Sequence, residues 1–255
     1  MAAGEHPVGV GAEAWSAAGT NGCGALVLHG FTGNPRSMRP LAEVMADVGF
    51  SVELPLLPGH GTHVDDMIAT RWDDWFGHVE AAYVELSARV DRVVVLGLSM
   101  GGTLAVALAI AHPEIAGLVL VNAAVEPMAP EFHDLLTQMA AVSDVMPSIG
   151  NDIAMPDVTE DSYDATPLQA LLSLGAAGAI LVSKMSEITM PSLLLNSVQD
   201  HVVAPTAAEF FASRVSGPVE RIMLEKSFHV ATLDYDAGLI EAKATEFALR
   251  VCALA

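Results

Sequence analysis

The chain has 255 residues, of which 52% are hydrophobic and only 16% are charged, so it carries enough apolar material for one large domain. Its 11 basic and 31 acidic residues give a formal net charge of −20, which repels phosphate backbones and anionic membrane surfaces and argues against nucleic-acid binding. Cys23 and Cys252 stand at opposite ends of the chain, do not form a disulfide framework, and are expected to be free thiols.

From the sequence we expect neither a secretory signal nor a membrane-spanning helix. The first ten residues lack the basic segment and the long apolar run of a secretory signal. The longest apolar run, residues 170–182, is shorter than the roughly 18–20 residues that a bilayer-spanning helix needs. We therefore expect a cytoplasmic protein without stable membrane insertion.

Strand and helix patterns alternate along most of the chain. Short apolar or β-branched runs predict strands over residues 25–29, 51–54, 92–98, 118–122, 192–197 and 221–224. Apolar residues at helical spacing predict helices over residues 37–48, 72–88, 101–112, 206–215 and 238–253. This alternation is typical of a mostly parallel sheet flanked by helices.

The alternation is interrupted between Asn122 and Ser192, where we find no convincing strand. This stretch is punctuated by Pro127, Pro130, Pro147, Pro156 and Pro167, with short helical patterns over 131–142 and 168–185 between them. Because a structureless loop of this length is uncommon, we interpret residues 125–190 as a helical cap inserted into a core made of residues 1–124 and 191–255. The alternative is a long loop whose helices pack against the side of the core.

The strongest chemical motif is Gly97-Leu98-Ser99-Met100-Gly101-Gly102, which follows a predicted strand and opens a predicted helix. This is the context of the G-x-S-x-G nucleophile elbow, in which a strained turn exposes the serine hydroxyl at the edge of the sheet. Glycines on both sides let the strand and the helix approach without Cβ clashes. The motif predicts Ser99 as a nucleophile.

A serine nucleophile needs a histidine base that a carboxylate orients. His229 follows the last predicted strand, and Asp200 follows the strand over 192–197. The order Ser99, Asp200, His229 is that of α/β-hydrolases and differs from the trypsin and subtilisin orders. The acids at positions 152, 157, 161 and 164 fall in the predicted cap, where no strand positions them, and are expected to be solvated.

An oxyanion hole completes such a site. One donor is expected to be the N–H of Met100, directly after the nucleophile, and the second the N–H of Phe31 in the loop after the first strand. His29, at the end of that strand, is expected to support this loop. His60 and His63 lie in a turn-rich loop without a cysteine or carboxylate pattern nearby, so we expect no metal site there.

Four segments together resemble the bacterial monoacylglycerol lipases and the related thermostable carboxylesterases. They are His29–Gly33, Gly97–Gly102, Gln199–Val203 and Phe228–Asp234, and the resemblance runs from about Ala25 to the C-terminus. Residues 37–43 and 59–63 favour the monoacylglycerol lipase branch, as do cap residues 149–152 and 156–160. The resemblance implies that Glu160 contacts the glycerol hydroxyls and that Ile149 belongs to the substrate-binding residues, whereas residues 128–145 depart more from the family.

The sequence thus predicts a serine ester hydrolase of the α/β-hydrolase fold that needs no cofactor and acts on a small lipid ester. The resemblance points to a monoacylglycerol. A cap rich in Leu, Met, Ala and Ile could line an acyl channel, but the same residues could simply seal the cap onto the core. A short- to medium-chain carboxylesterase is the nearest alternative, and a non-catalytic ligand-binding protein with the same fold is a more distant one.

Overall fold

Seven strands form one sheet in the computed structural model, which describes residues 6–253. Including two strands outside this sheet, the strands of the described residues are β1 (Trp15–Ala17), β2 (Cys23–Leu28), β3 (Ser51–Leu54), β4 (Arg92–Leu98), β5 (Gly117–Val121), β6 (Val145–Pro147), β7 (Ala165–Pro167), β8 (Ser192–Ser197) and β9 (Val219–Leu224). The large sheet has the order β1-β3-β2-β4-β5-β8-β9, and β6 and β7 form a separate antiparallel pair. Only β1 is antiparallel to its neighbour in the large sheet, so the prediction of a mostly parallel sheet is confirmed.

Helices cover both faces of the sheet. They are α1 (Arg39–Asp47), α2 (Val64–Ile68), α3 (Trp72–Ser87), α4 (Met100–Ala111), α5 (Pro130–Ala140), α6 (Leu168–Val182), α7 (Thr206–Ala212) and α8 (Ala237–Ala253). Single 3₁₀ turns lie at 35–37, 185–187 and 231–233. Between residues 6 and 253, no helix is at once long enough and apolar enough to cross a bilayer.

The sheet separates two apolar cores. Leu26 and Leu28 of β2 face one core, and Ala25 and Val27 of the same strand face the other, as the two-residue period of a strand requires. After Arg92, strand β4 is apolar from Val93 to Leu98 because both of its faces are buried in this way. The central strands are thereby held rigidly, which fixes the positions of the loops at their ends.

The segment between β5 and β8 contains α5, β6, β7 and α6. The prediction of helices here is confirmed, but the prediction that the stretch contains no strand is wrong. The two strands were missed because each has only three residues and ends in a proline, Pro147 or Pro167, which is rare inside a sheet. The backbone N–H of Trp72 donates to Ser173 Oγ over 3.1 Å, which attaches α6 to the start of α3.

The end of α8 meets the start of β2, so Cys252 lies near Cys23. Cys23 of β2 is in register with Arg92 of β4, whose guanidinium donates to the carbonyl oxygen of Val251 over 3.3 Å. Both cysteines are free thiols. Burial and the neighbouring Cys23 thiol raise the pKa of Cys252, so this thiol stays protonated.

Candidate active site

Ser99 joins β4 to α4 through a strained turn. Its backbone has φ +54° and ψ −118°, a conformation that residues other than glycine rarely adopt. A Cβ at Gly101 would lie 2.2 Å from the carbonyl oxygen of Leu28, so only glycine fits directly after the turn. The segment therefore has the geometry of a nucleophile elbow.

Asp200 and His229 form a buried pair. His229 Nδ1 lies 2.8 Å from Asp200 Oδ2, and the two side chains are 9% and 2% exposed, respectively. The other oxygen of Asp200 accepts the backbone N–H groups of Val202 and Val203, both over 2.8 Å. The carboxylate is thus fixed on both oxygens, which orients the imidazole and leaves its Nε2 free for a second partner.

The end of β5 connects the nucleophile to the base. The N–H of Ser99 donates to the carbonyl oxygen of Val121 over 3.0 Å, and the next residue, Asn122, donates its side-chain N–H to the carbonyl oxygen of His229 over 2.7 Å. Within residues 6–253, no hydrogen bond joins Ser99 Oγ directly to His229. In hydrolases of this kind, the serine–histidine hydrogen bond often forms fully only when substrate binds. The three residues predicted as nucleophile, acid and base follow β4, β8 and β9 at one edge of the sheet.

Two backbone N–H groups lie beside the serine. Met100 is the first residue of α4, where helical geometry leaves the N–H without an intrahelical acceptor. Phe31 belongs to the loop after β2, in which a Cβ at Gly30 would come within 3.4 Å of Ser99 Cβ. Within the part of the chain that the structure describes, neither N–H donates a hydrogen bond to another protein group, so both are available to an oxyanion.

His29 braces the loop that carries Phe31. The side chain is fully buried, its Nδ1 lies 3.0 Å from the carbonyl oxygen of Gly30, and its Nε2 accepts the N–H of Leu57 over 3.2 Å. Burial, reinforced by the neighbouring His60, lowers the pKa of His29 to about 3. The imidazole is therefore neutral and acts as a bridge between two loops, in agreement with the supporting role expected from the sequence.

His60 lies beneath the same loop, and its ring packs edge-on against Phe31 and Trp75. Burial lowers the pKa of His60 to about 4. The exposed His63 lies apart from this cluster, next to His6 and Asp65, and one ligand atom from each of these three lies within 4.8 Å of the others. The expectation that no carboxylate lies near His63 is wrong, because Asp65 Oδ2 lies 3.2 Å from His63 Nδ1. All three residues of this group are exposed or only partly buried.

Glu160 and Ile149, the two residues implied in substrate binding, are placed differently. Glu160 is partly buried against the loop after β2, where a Cβ at Gly33 would meet its Oε1 at 2.7 Å. Burial raises the pKa of Glu160 to about 7, although the nearby His229 opposes this shift. Ile149, in the loop after β6, is 68% exposed and is not packed into the site in this structure.

Three residues to which the sequence assigned no structural role hold the loop of His229. Asn122, at φ +43°, donates to the carbonyl oxygens of Phe228 and His229. Asp234 and Asp152 accept backbone N–H groups of the same loop. The expectation that Asp152 is a solvated acid is wrong, since it is only 8% exposed. The sequence signal for Asn122 was an asparagine at the end of a predicted strand. The signal for Asp234 was an aspartate five residues after the predicted base.

The family model of Hydrolase_4, described as serine aminopeptidase S33, matches residues 24–236. The thermostable monoacylglycerol lipase of Bacillus sp. (strain H-257) is 44% identical over 245 residues, which cover 95% of this chain and 96% of the lipase. A carboxylesterase of Bacillus subtilis (strain 168) is 25% identical over 226 residues, covering 87% of this chain and 90% of the esterase.

The solved structures include a similar fold from a study of LipS and LipT, two metagenome-derived lipolytic enzymes. That structure superposes with a TM-score of 0.91 at 38% sequence identity, and the match covers 96% of this chain and 100% of the other. The similarity therefore extends over the sheet, the flanking helices and the segment between β5 and β8.

Proposed function

The chain belongs to the serine aminopeptidase S33 family of hydrolases, Hydrolase_4, and from that membership we propose that it is a serine carboxylic-ester hydrolase acting on monoacylglycerols. The main observation in support of this reaction is the buried hydrogen bond between Asp200 and His229, which lies at the same edge of the sheet as the strained Ser99. The 44% identity to a monoacylglycerol lipase supports the substrate class.

In the first half of the proposed reaction, His229 Nε2 takes the proton of Ser99 Oγ as the oxygen attacks the ester carbonyl. The N–H groups of Phe31 and Met100 stabilise the negative charge of the tetrahedral intermediate. Each such donor is worth roughly 3–4 kcal/mol in other hydrolases. The imidazolium then protonates the departing glycerol oxygen, and the acyl group stays bound to Ser99.

In the second half, water replaces glycerol at the carbonyl. His229 removes a proton from the water as its oxygen attacks the acyl-enzyme, and it returns the proton to Ser99 Oγ when the ester bond to serine breaks. The products are a fatty acid and glycerol. Asp200 keeps its hydrogen bond to Nδ1 throughout and stabilises the imidazolium. Protein groups and water supply every proton that the cycle moves.

We also propose that residues 125–190 act as a cap over the site and present the substrate. Several large apolar side chains of this segment are exposed, namely Phe132, Leu135, Val142, Ile149 and Ile180. Exposed apolar side chains in a segment that caps an ester-cleaving site would suit the acyl chain of a lipid ester better than a polar substrate. The net charge of −20 favours neutral lipids over anionic membranes. A cytoplasmic location is a prediction from the sequence.

Glu160 is the proposed contact for the glycerol hydroxyls. It lies against the oxyanion loop and within electrostatic reach of His229, so its carboxyl group is close to the ester end of a bound substrate. A carboxyl group can accept hydrogen bonds from both free hydroxyls of a monoacylglycerol. A diacylglycerol keeps only one of these hydroxyls and a triacylglycerol keeps neither, so the contact would weaken with the first and be lost with the second.

A substrate panel tests the proposal. The purified protein is assayed on a monoacylglycerol, a diacylglycerol and a triacylglycerol of one chain length, and on p-nitrophenyl esters of increasing chain length. We expect the highest kcat/KM among glycerides on the monoacylglycerol. The similarity to the Bacillus subtilis carboxylesterase supports one alternative, a general carboxylesterase. Highest activity on short p-nitrophenyl esters, with no activity on glycerides, would favour this alternative. No hydrolysis of any ester would overturn the proposed function.

A further inference from the structure

Asp152 connects the inserted segment to the loops of both the acid and the base. Its Oδ2 accepts the backbone N–H of His229 over 3.0 Å and that of His201 over 3.3 Å. Its Oδ1 lies 2.8 Å from His201 Nδ1. His201 directly follows Asp200, so one buried carboxylate contacts the chain on both sides of the Asp200–His229 pair.

The contact between the two regions is reciprocal. The backbone carbonyl of Asp152 accepts the N–H of Val230 over 3.1 Å. In return, Asp234 of the base loop accepts the N–H groups of Ala154 and Met155, over 2.7 and 3.0 Å. Ile153, between these residues, is 8% exposed and packs into the core that contains Val230. Residues 152–155 are therefore fixed to the base loop by two carboxylates and by apolar packing.

The peptide groups of His229 are held from two sides. Asp152 binds its N–H, whereas Asn122, at the end of β5, binds its carbonyl oxygen over 2.7 Å. Asn122 belongs to the rigid sheet, but Asp152 comes from the segment between β5 and β8. The imidazole orientation thus depends on a contact from outside the seven-stranded sheet as well as on one from within it.

We propose that Asp152 is a positioning residue, which keeps the Asp200–His229 pair aligned by holding the N–H groups of His201 and His229. The inference rests on the proposed function, because alignment of this pair matters for an acyl-transfer reaction. Asp152 does not touch the reacting atoms and acts through the two loops. Removing its carboxylate releases the N–H groups of His201 and His229 at once, and misplacement of a catalytic group by about 1 Å can cost around 10²-fold in rate.

Three variants test the proposal. Asp152→Ala removes all the side-chain contacts, whereas Asp152→Asn keeps one oxygen that can accept the His229 N–H and loses the second acceptor. Asp66→Ala is the matched control, since Asp66 is also 8% exposed and also pairs with a histidine, His6, over 3.0 Å, but belongs to α2 and not to the triad loops. Each variant is assayed well below its melting temperature, as measured by circular dichroism.

Two readouts separate positioning from general stability. The first is kcat and KM on a p-nitrophenyl ester. The second is the low-field proton NMR resonance of the hydrogen between His229 Nδ1 and Asp200 Oδ2, assigned by its absence in Asp200→Asn. A residue that only stabilises the fold would lower the melting temperature without changing this resonance in the folded protein.

We expect Asp152→Ala to lower kcat by about 10²-fold with little change in KM, and to broaden or abolish the resonance. Asp152→Asn should fall between the wild type and Asp152→Ala in both readouts, so it decides the question even if the alanine variant does not fold. Asp66→Ala should keep the wild-type resonance and kcat.

The proposal is overturned if either Asp152 variant folds and retains the wild-type kcat and resonance, or if Asp66→Ala changes both readouts as strongly as Asp152→Ala. Absence of ester hydrolysis by the wild type would instead contradict the proposed function. The NMR measurement would then still show whether Asp152 aligns the Asp200–His229 pair.

Discussion

Asn122 donates a side-chain hydrogen bond to the backbone carbonyl oxygen of His229 over 2.7 Å, although 107 residues separate them in the sequence. The same side chain also binds Ser197, which in turn donates to the carbonyl oxygen of Phe228. The loop that bears the proposed base is therefore attached to the ends of β5 and β8.

Replacing Asn122 with alanine should both destabilise the protein and slow catalysis. The change leaves the carbonyl oxygen of His229 buried without this donor, which costs about 1–3 kcal/mol of unfolding free energy. Alanine also tolerates φ +43° less well than asparagine. Urea denaturation measures the stability loss, and kcat on a p-nitrophenyl ester measures the effect on the base. Asn21→Ala, at an exposed asparagine, serves as the control, and equal stability of the two variants would contradict the assignment.

Asp200→Asn should lower kcat by about 10⁴-fold, as the equivalent change does in trypsin-type enzymes, because asparagine favours the wrong imidazole tautomer. The amide oxygen can still accept the N–H groups of Val202 and Val203, so the fold should persist. The comparison is made by steady-state kinetics on a p-nitrophenyl ester, with circular dichroism as the test of folding. A loss of less than tenfold would move the role of the acid to another carboxylate.

Glu160→Gln should reduce kcat/KM on a monoacylglycerol much more than on a p-nitrophenyl ester, because only the first substrate presents glycerol hydroxyls to the carboxylate. The two substrates are compared in parallel at one pH. Asp161→Asn, one position along and exposed, is the control and should affect both substrates little. Equal losses on the two substrates in Glu160→Gln would contradict a glycerol contact.

The raised pKa of Glu160 also predicts a pH dependence of stability. Burial raises this pKa from its ordinary value near 4.5 to about 7, so in this pH range the folded protein binds more protons at Glu160 than the unfolded chain does. The contribution of Glu160 to stability is therefore complete below about pH 4.5 and declines as the pH rises to about 7. The melting temperature of the wild type minus that of Glu160→Gln should fall as the pH rises across this window. A difference that stays constant with pH would rule out the shifted pKa.

The sheet was predictable, and the three proposed catalytic residues could be named, because the signals for them are local. Ser99 lies in a glycine-rich turn between an apolar strand and a helix, and Asp200 and His229 follow strands whose ends meet at one edge. The resemblance to monoacylglycerol lipases and thermostable carboxylesterases, based on these same motifs, is confirmed by the family match and the 44% identity.

Other features depended on contacts that the sequence does not display. Strand β1 has only three residues and exists through its pairing with β3, and the five-residue helix α2 is too short to show a periodic pattern. Asp152 stands among solvated acids in the sequence, yet it binds a backbone N–H 77 residues away. Whether a carboxylate is solvated or buried is decided by the packing of the inserted segment onto the core, which no local pattern encodes.

The most direct test of the account is to trap the nucleophile. The protein is treated with a fluorophosphonate, which phosphonylates an activated serine, and the modified peptide is identified by mass spectrometry alongside Ser99→Ala and His229→Ala. We predict one adduct on Ser99 in the wild type, together with loss of ester hydrolysis, and none in either variant although both stay folded. An adduct on another residue, or undiminished hydrolysis by Ser99→Ala, would contradict the account.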